Sequence, residues 1–281
     1  MFRGHFAMRE KTQLRKLVIW DFDGVICDSL IECITVTQLA ATLLDRPQLK
    51  ISRASLHKIC NYDAIAKTYN KMRGLRPFVV KGQDYLWQFY NLTSFSCDFN
   101  SFKEYQVVFN SIFNQEQDKI YEEAFYDARK MLQNLMGDEY FNLFKPYPEI
   151  FYAFQASLRW YKNYICTARD QKGVSMLYNN NGIAFPRENI FSKDYNGVNY
   201  NPGQSKSEQI IDILNKEGGL DQHFLIVEDQ VKSPFELKNI CPNMDVIYAK
   251  YGYGLEHDWL QACIPRLKTI LSSDNLIYEI Y

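Results

Sequence analysis

At 281 residues the chain is long enough for one large domain, or for a core domain carrying a substantial insertion. Its hydrophobic fraction of 47% is ordinary for a globular protein, and a formal net charge of −1 provides no field that would gather nucleic acid or acidic lipid. Seven scattered cysteines show neither CxxC nor Cys/His spacing, which argues against a disulfide framework or a zinc site.

The first residues carry a basic cluster (Arg3, Arg9, Lys11, Arg15, Lys16) without the apolar stretch of a signal peptide, and read as a solvated leader over residues 1–15. No apolar run approaches the roughly 20 residues that span a bilayer. A reducing, cytoplasmic setting is therefore expected, with no membrane partner.

Residues 16–22 form the first short apolar run and read as a buried strand, followed by a helix near residues 31–44. From about residue 45 to 146 the spacing is helical throughout, as in Tyr121, Phe125, Ala128, Leu132 and Leu135. Many of the 20 tyrosines and 19 phenylalanines fall in this part of the chain. A strandless insertion just after the first strand predicts a helical cap over residues 30–146, and Pro146 and Pro148 mark its return. Further apolar runs at residues 164–167, 224–227 and 246–249, with a weaker one at 189–192, read as strands buried on both faces. Between them Ile150, Phe154 and Leu158 share one helical face, as do Ile210, Ile213 and Leu214, and another helix is expected after Pro234. Strands alternating with helices predict an α/β fold: a doubly wound parallel sheet with Rossmann-like connections, built from residues 1–29 and 147–281. The tail at 275–281 is too short to classify.

Ligand chemistry in open α/β sheets gathers beyond the carboxyl ends of the strands. The first strand ends in Asp21-Phe22-Asp23-Gly24, so two carboxylates can point into one crevice. One of them can attack phosphorus while the other gives and takes protons, although Asp and Gly are also ordinary turn residues. The second strand ends in Thr167-Ala168-Arg169, where the hydroxyl and the amides beyond it can hold phosphate oxygens; a simple helix cap would use the same threonine. Lys206 opens the next helix and can bridge nucleophile and phosphate, or it can be a solvated surface residue. A later strand ends in Glu228-Asp229, a second acidic pair whose oxygens suit a hard cation such as Mg²⁺.

The order of these elements, DFDGVICDS, then the threonine, the lysine and the acidic pair, resembles the haloacid dehalogenase-like superfamily from Lys16 to about Tyr253. The resemblance implies that Asp21 is the nucleophile and a metal ligand, and that Asp23 is the general acid/base with its main-chain carbonyl on the metal. It further implies that Thr167, Ala168 and Lys206 bind phosphate and that Asp229 is the remaining protein ligand, with Glu228 beside it. Glu228 replaces the commoner glycine, and Ser233 stands where many relatives carry an acid. Asp23 favours phosphate esters over carbon–halogen or phosphonate substrates. The position of the insertion and Tyr251-Gly252-Tyr253-Gly254 are similar to the phosphoglycolate phosphatase and β-phosphoglucomutase-like branch. Arg76 or Lys81, in the insertion, can reach an anionic substrate, though a surface role competes. The expected activity is a Mg²⁺-dependent phosphatase acting on a small phosphorylated substrate. A phosphomutase and a non-catalytic regulatory protein are the alternatives, and substrate identity and oligomeric state stay open.

Overall fold

A computed structural model describes residues 16–59, 62–92, 99–193 and 204–270. The basic leader (1–15) and the tail (275–281) lie outside the described residues.

The strands are β1 (Leu17–Trp20), β2 (Cys27–Asp28), β3 (Lys145–Pro146), β4 (Lys162–Cys166), β5 (Ile190–Phe191), β6 (Phe224–Glu228), β7 (Met244–Ala249) and β8 (Leu267–Ile270). Six of them form a parallel sheet in the order β5-β4-β1-β6-β7-β8, with β1 at the centre. The residues of β1 alternate between two cores. Val18 and Trp20 pack into one apolar cluster with Ile34 and Phe154, while Leu17 and Ile19 pack into another with Ile213 and Trp259. Burial on both faces explains the continuous apolar runs; each fully buried Ile or Leu side chain contributes about 1.5–3 kcal/mol. The one polar atom of Trp20 is satisfied: its indole N–H donates to Asn163 Oδ1 at 2.8 Å.

β2 and β3 make a two-residue antiparallel ribbon at which the insertion leaves and rejoins the sheet. Between them the described chain is all helical: α1 (Leu30–Asp45), α2 (Arg53–Ile59), α3 (Tyr62–Leu75), α4 (Asp84–Tyr90), α5 (Phe102–Ile112) and α6 (Gln115–Met136), with 3₁₀ turns at Arg76–Phe78 and Gly137–Leu143. α1 is enclosed by α3, α4 and α6, so most of its residues are buried. The sheet is flanked by α7 (Pro148–Ser157), α8 (Gln171–Asn180), α9 (Lys206–Glu217), α10 (Lys232–Leu237) and α11 (Glu256–Ala262).

The expected parallel α/β architecture is present, with three local differences. β8 exposes Lys268 and Thr269 and so gives no apolar run to read. β3 places a two-residue strand at the end of the stretch expected to be helical, paired with β2 just before that stretch begins. α10 begins two residues before Pro234, which is tolerated because the first turn of a helix needs no N–H from that position. No helix among the described residues is long and apolar enough to cross a membrane.

Candidate active site

The carboxyl edge of the central strands collects the acidic residues. Asp21 follows β1 directly, and its amide donates to Val227 O of β6 at 2.9 Å, so it stands where β1 and β6 part. Lys206 is the first residue of α9, fixed there by a capping box in which the Ser205 hydroxyl and the Glu208 carboxylate bind each other's backbone N–H groups. Its ammonium lies 2.8 Å from Asp21 Oδ1 and 2.5 Å from Glu228 Oε2. Glu228 Oε1 accepts the amides of Asp229 and Gln230, both at 3.1 Å. Both Glu228 oxygens are thus engaged, one by the lysine and one by the backbone. One oxygen each from Asp21, Glu228 and Asp229 falls within 4.8 Å of the others, and all three residues are buried.

Burial, reinforced by Glu228, pushes Asp21 up to about 8 against the opposing pull of Lys206. Burial, with Asp21 adding to it, pushes Asp229 up to about 6. Lys206 moves up as well: burial disfavours its charge, but Asp21 and Glu228 outweigh it. Asp229 Oδ1 is buried without a partner, whereas its Oδ2 accepts the Tyr253 amide at 2.7 Å. A crowded acidic cluster with one bare buried carboxylate oxygen fits a hard divalent cation.

The chain around Asp229 is packed backbone to backbone. Gly24, at φ +88°, has no room for a β-carbon against the Asp229 carboxylate and the Tyr253 ring. The Tyr253 hydroxyl donates to Asp28 Oδ1 at 2.6 Å and accepts the Ser29 amide at 3.0 Å, tying the loop after β7 to the start of the insertion.

Asp23 faces the other way, toward the insertion. Arg169 Nε lies 2.9 and 3.2 Å from its two oxygens. Burial works against the charge of Asp23, but Arg169 overrides it and lowers the carboxyl below its ordinary range. Thr167 sits just beyond β4, buried, with its hydroxyl accepting the Arg169 amide at 3.2 Å. Ala168 is exposed beside it. Arg76 comes from the 3₁₀ turn after α3; its guanidinium lies 4.3 Å from the Tyr253 ring centre, and its buried Nε has no partner. Asp23, Arg76, Lys81, Arg129, Ala168 and Arg169 line one cleft between sheet edge and insertion. A second cleft, of about 380 Å³, opens at the amino ends of the strands beside Lys16 and His223, on the opposite edge of the sheet from these groups.

The structure therefore brings Asp21, Lys206, Glu228 and Asp229 into one cluster and places Asp23, Ala168 and Arg76 on the adjoining cleft. Sequence reasoning did not single out Arg169, Glu32, Arg129 or Tyr140. Glu32 had one visible signal: it is the single charged residue between Leu30 and Leu44 of α1. Arg169 had another, two residues beyond Thr167.

No protein-family model matches the sequence, and no curated protein sequence matches it. Solved structures do. A haloacid dehalogenase-like hydrolase of Streptococcus pneumoniae superposes with a TM-score of 0.59 at 13% identity, over 95% of this chain and 99% of that one. A predicted phosphatase of Clostridium acetobutylicum gives 0.57 at 14% identity, over 95% and 98%. A predicted phosphoglycolate phosphatase of Haemophilus somnus gives 0.57 at 12% identity, over 96% and 100%. The chain has the fold of the haloacid dehalogenase-like hydrolases.

Proposed function

We propose that the chain is a Mg²⁺-dependent phosphatase that hydrolyses a small phosphorylated metabolite through an aspartyl-phosphate on Asp21, in a cytoplasmic setting. Residues 1–29 and 147–281 are the catalytic core in this reading, and residues 30–146 the cap. The observation that carries it is the contact between Lys206 and Asp21 at 2.8 Å, within the same buried cluster as Asp229.

Asp21, Asp229 and the main-chain carbonyl of Asp23 would hold Mg²⁺, which when bound neutralises the crowded carboxylates and the phosphate charge. The Asp21 carboxylate forms an O–P bond as the bond from phosphorus to the substrate's ester oxygen breaks, and Asp23 gives the departing oxygen its proton. Water then attacks phosphorus and passes a proton to Asp23, and the P–O bond to Asp21 breaks to release inorganic phosphate. Lys206 offsets the charge that builds on the transferring group, while Thr167 and Ala168 hold its oxygens. Glu228 keeps Lys206 aimed at Asp21. Arg76 and the insertion close the cleft over the remainder of the substrate and exclude bulk water.

A panel of phosphorylated metabolites tests this. Phosphate release should require Mg²⁺, stop with chelator and vanish in Asp21→Asn; release that persists in the purified variant sinks the covalent role.

A further inference from the structure

The contacts of Asp23 continue into a buried network that the reaction above does not use. Besides its Nε contacts to Asp23, Arg169 Nη2 lies 2.9 Å from Asp23 Oδ1 and 3.0 Å from Glu32 Oε2. Glu32, fully buried on α1, also accepts from Arg129 Nε at 2.9 Å and Nη2 at 3.1 Å, and from the Tyr140 hydroxyl. The Phe144 ring centre lies 4.8 Å from the Arg169 guanidinium carbon. Five segments meet here: the turn after β1, the turn after β4, α1, α6 and the 3₁₀ turn at Gly137–Leu143. Buried ion networks are poor stabilisers, since apolar residues of the same volume do as well. What this one does supply is direction. A planar guanidinium gripped by Glu32 on one side fixes the plane of the Asp23 carboxylate on the other.

We infer that Arg169 is a positioning residue for Asp23, aiming it at the water that hydrolyses the aspartyl-phosphate, and that Glu32 sets the orientation of Arg169. This rests on the reading of Asp23 as proton carrier. In the step concerned, an O–H bond of water breaks as its oxygen bonds to phosphorus, the proton passes to Asp23, and the P–O bond to Asp21 breaks. Once Asp23 has given its proton to the leaving group, both of its oxygens accept from Arg169, which fixes the carboxylate's plane while leaving lone pairs to take the proton back from water. Arg129 and Tyr140 belong to the insertion, so the aim of Asp23 is keyed to how the insertion sits on the core.

The experiment compares the wild type, Arg169→Lys, Glu32→Gln and the double variant with p-nitrophenyl phosphate, whose leaving group departs without a proton. Its kcat/KM reports steps up to loss of nitrophenol, and kcat includes the water step. In each variant kcat should fall about 100-fold while kcat/KM holds within about threefold, and a burst of one nitrophenol per enzyme should precede slow turnover. The double variant should be no worse than Arg169→Lys, because Glu32 acts through the arginine. A parallel fall in both parameters, no change in either, or additive losses overturns the inference; thermal melting identifies any variant that fails to fold, leaving the other to decide. A wild type that releases no nitrophenol would instead overturn the phosphatase reading.

Discussion

Gly254 presses flat against the main chain of Asp229, close enough that a β-carbon on it would overlap the Asp229 carbonyl oxygen. That carbonyl also accepts the Trp259 indole N–H at 2.9 Å. The space is filled by backbone, which cannot rotate away as a side chain can. Gly254→Ala should therefore destabilise the protein by about 3 kcal/mol or prevent folding, read as a lower urea midpoint. An unchanged midpoint would mean that the loop after β7 can retreat from Asp229.

Lys206 is the only cation in direct contact with both Asp21 and Glu228 among the described residues. Lys206→Met leaves two buried carboxylates facing each other. Activity should fall at least about 100-fold, and stability near neutral pH should fall by on the order of 3 kcal/mol. Steady-state kinetics and urea titration measure the two effects separately.

Metal binding has a signature that needs no turnover. Mg²⁺ should raise the melting temperature of the wild type and leave Asp229→Asn nearly unmoved. Without metal the order reverses: Asp229 is pushed up to about 6, so above that pH its ionised form costs stability, and Asp229→Asn should melt higher than the wild type at pH 8. Equal Mg²⁺ responses would remove Asp229 from the ligand set.

Glu32 behaves oppositely toward acid. Burial alone would raise its carboxyl, but Arg129 and Arg169 outweigh burial and hold it at about 2, below the ordinary 4.5. Its ionised form therefore stabilises the fold fully above about pH 4.5, and that stabilisation disappears as pH falls toward 2. Urea midpoints of the wild type and Glu32→Gln should differ most above pH 5 and converge toward pH 2.5, by on the order of a few kcal/mol. A difference independent of pH would show that Glu32 is not ionised in the fold.

How much of this could be read beforehand depended on where each residue's constraint arises. β1, β4, β6 and β7 were legible because burial on both faces leaves continuous apolar runs. β8, with Lys268 and Thr269 exposed at the sheet's edge, was not. Asp21, Asp23, Thr167, Lys206 and Asp229 stood out because each follows a strand or opens a helix, so chain order alone lines them up. The Arg169–Glu32–Arg129 network has no such local mark; its partners lie 97 and 137 residues apart and meet only through tertiary packing. The closeness of Gly24 and Gly254 to Asp229 was hidden for the same reason.

The central place of β1 also governs how the chain must assemble. Trp20 pairs with Ile165 on one side and Val227 on the other, and its indole reaches Asn163, 143 residues away. β1 leaves the ribosome before either partner strand and thus waits, unpaired and apolar, until the whole helical insertion and β4 have followed, and longer still for β6. Pairings this distant make folding slow, and an exposed LVIW edge invites association with other chains in the meantime. The insertion, rich in local helical contacts, can collapse first around α1. Synthesis rate and chaperone supply, more than final stability, would then set the yield of folded protein.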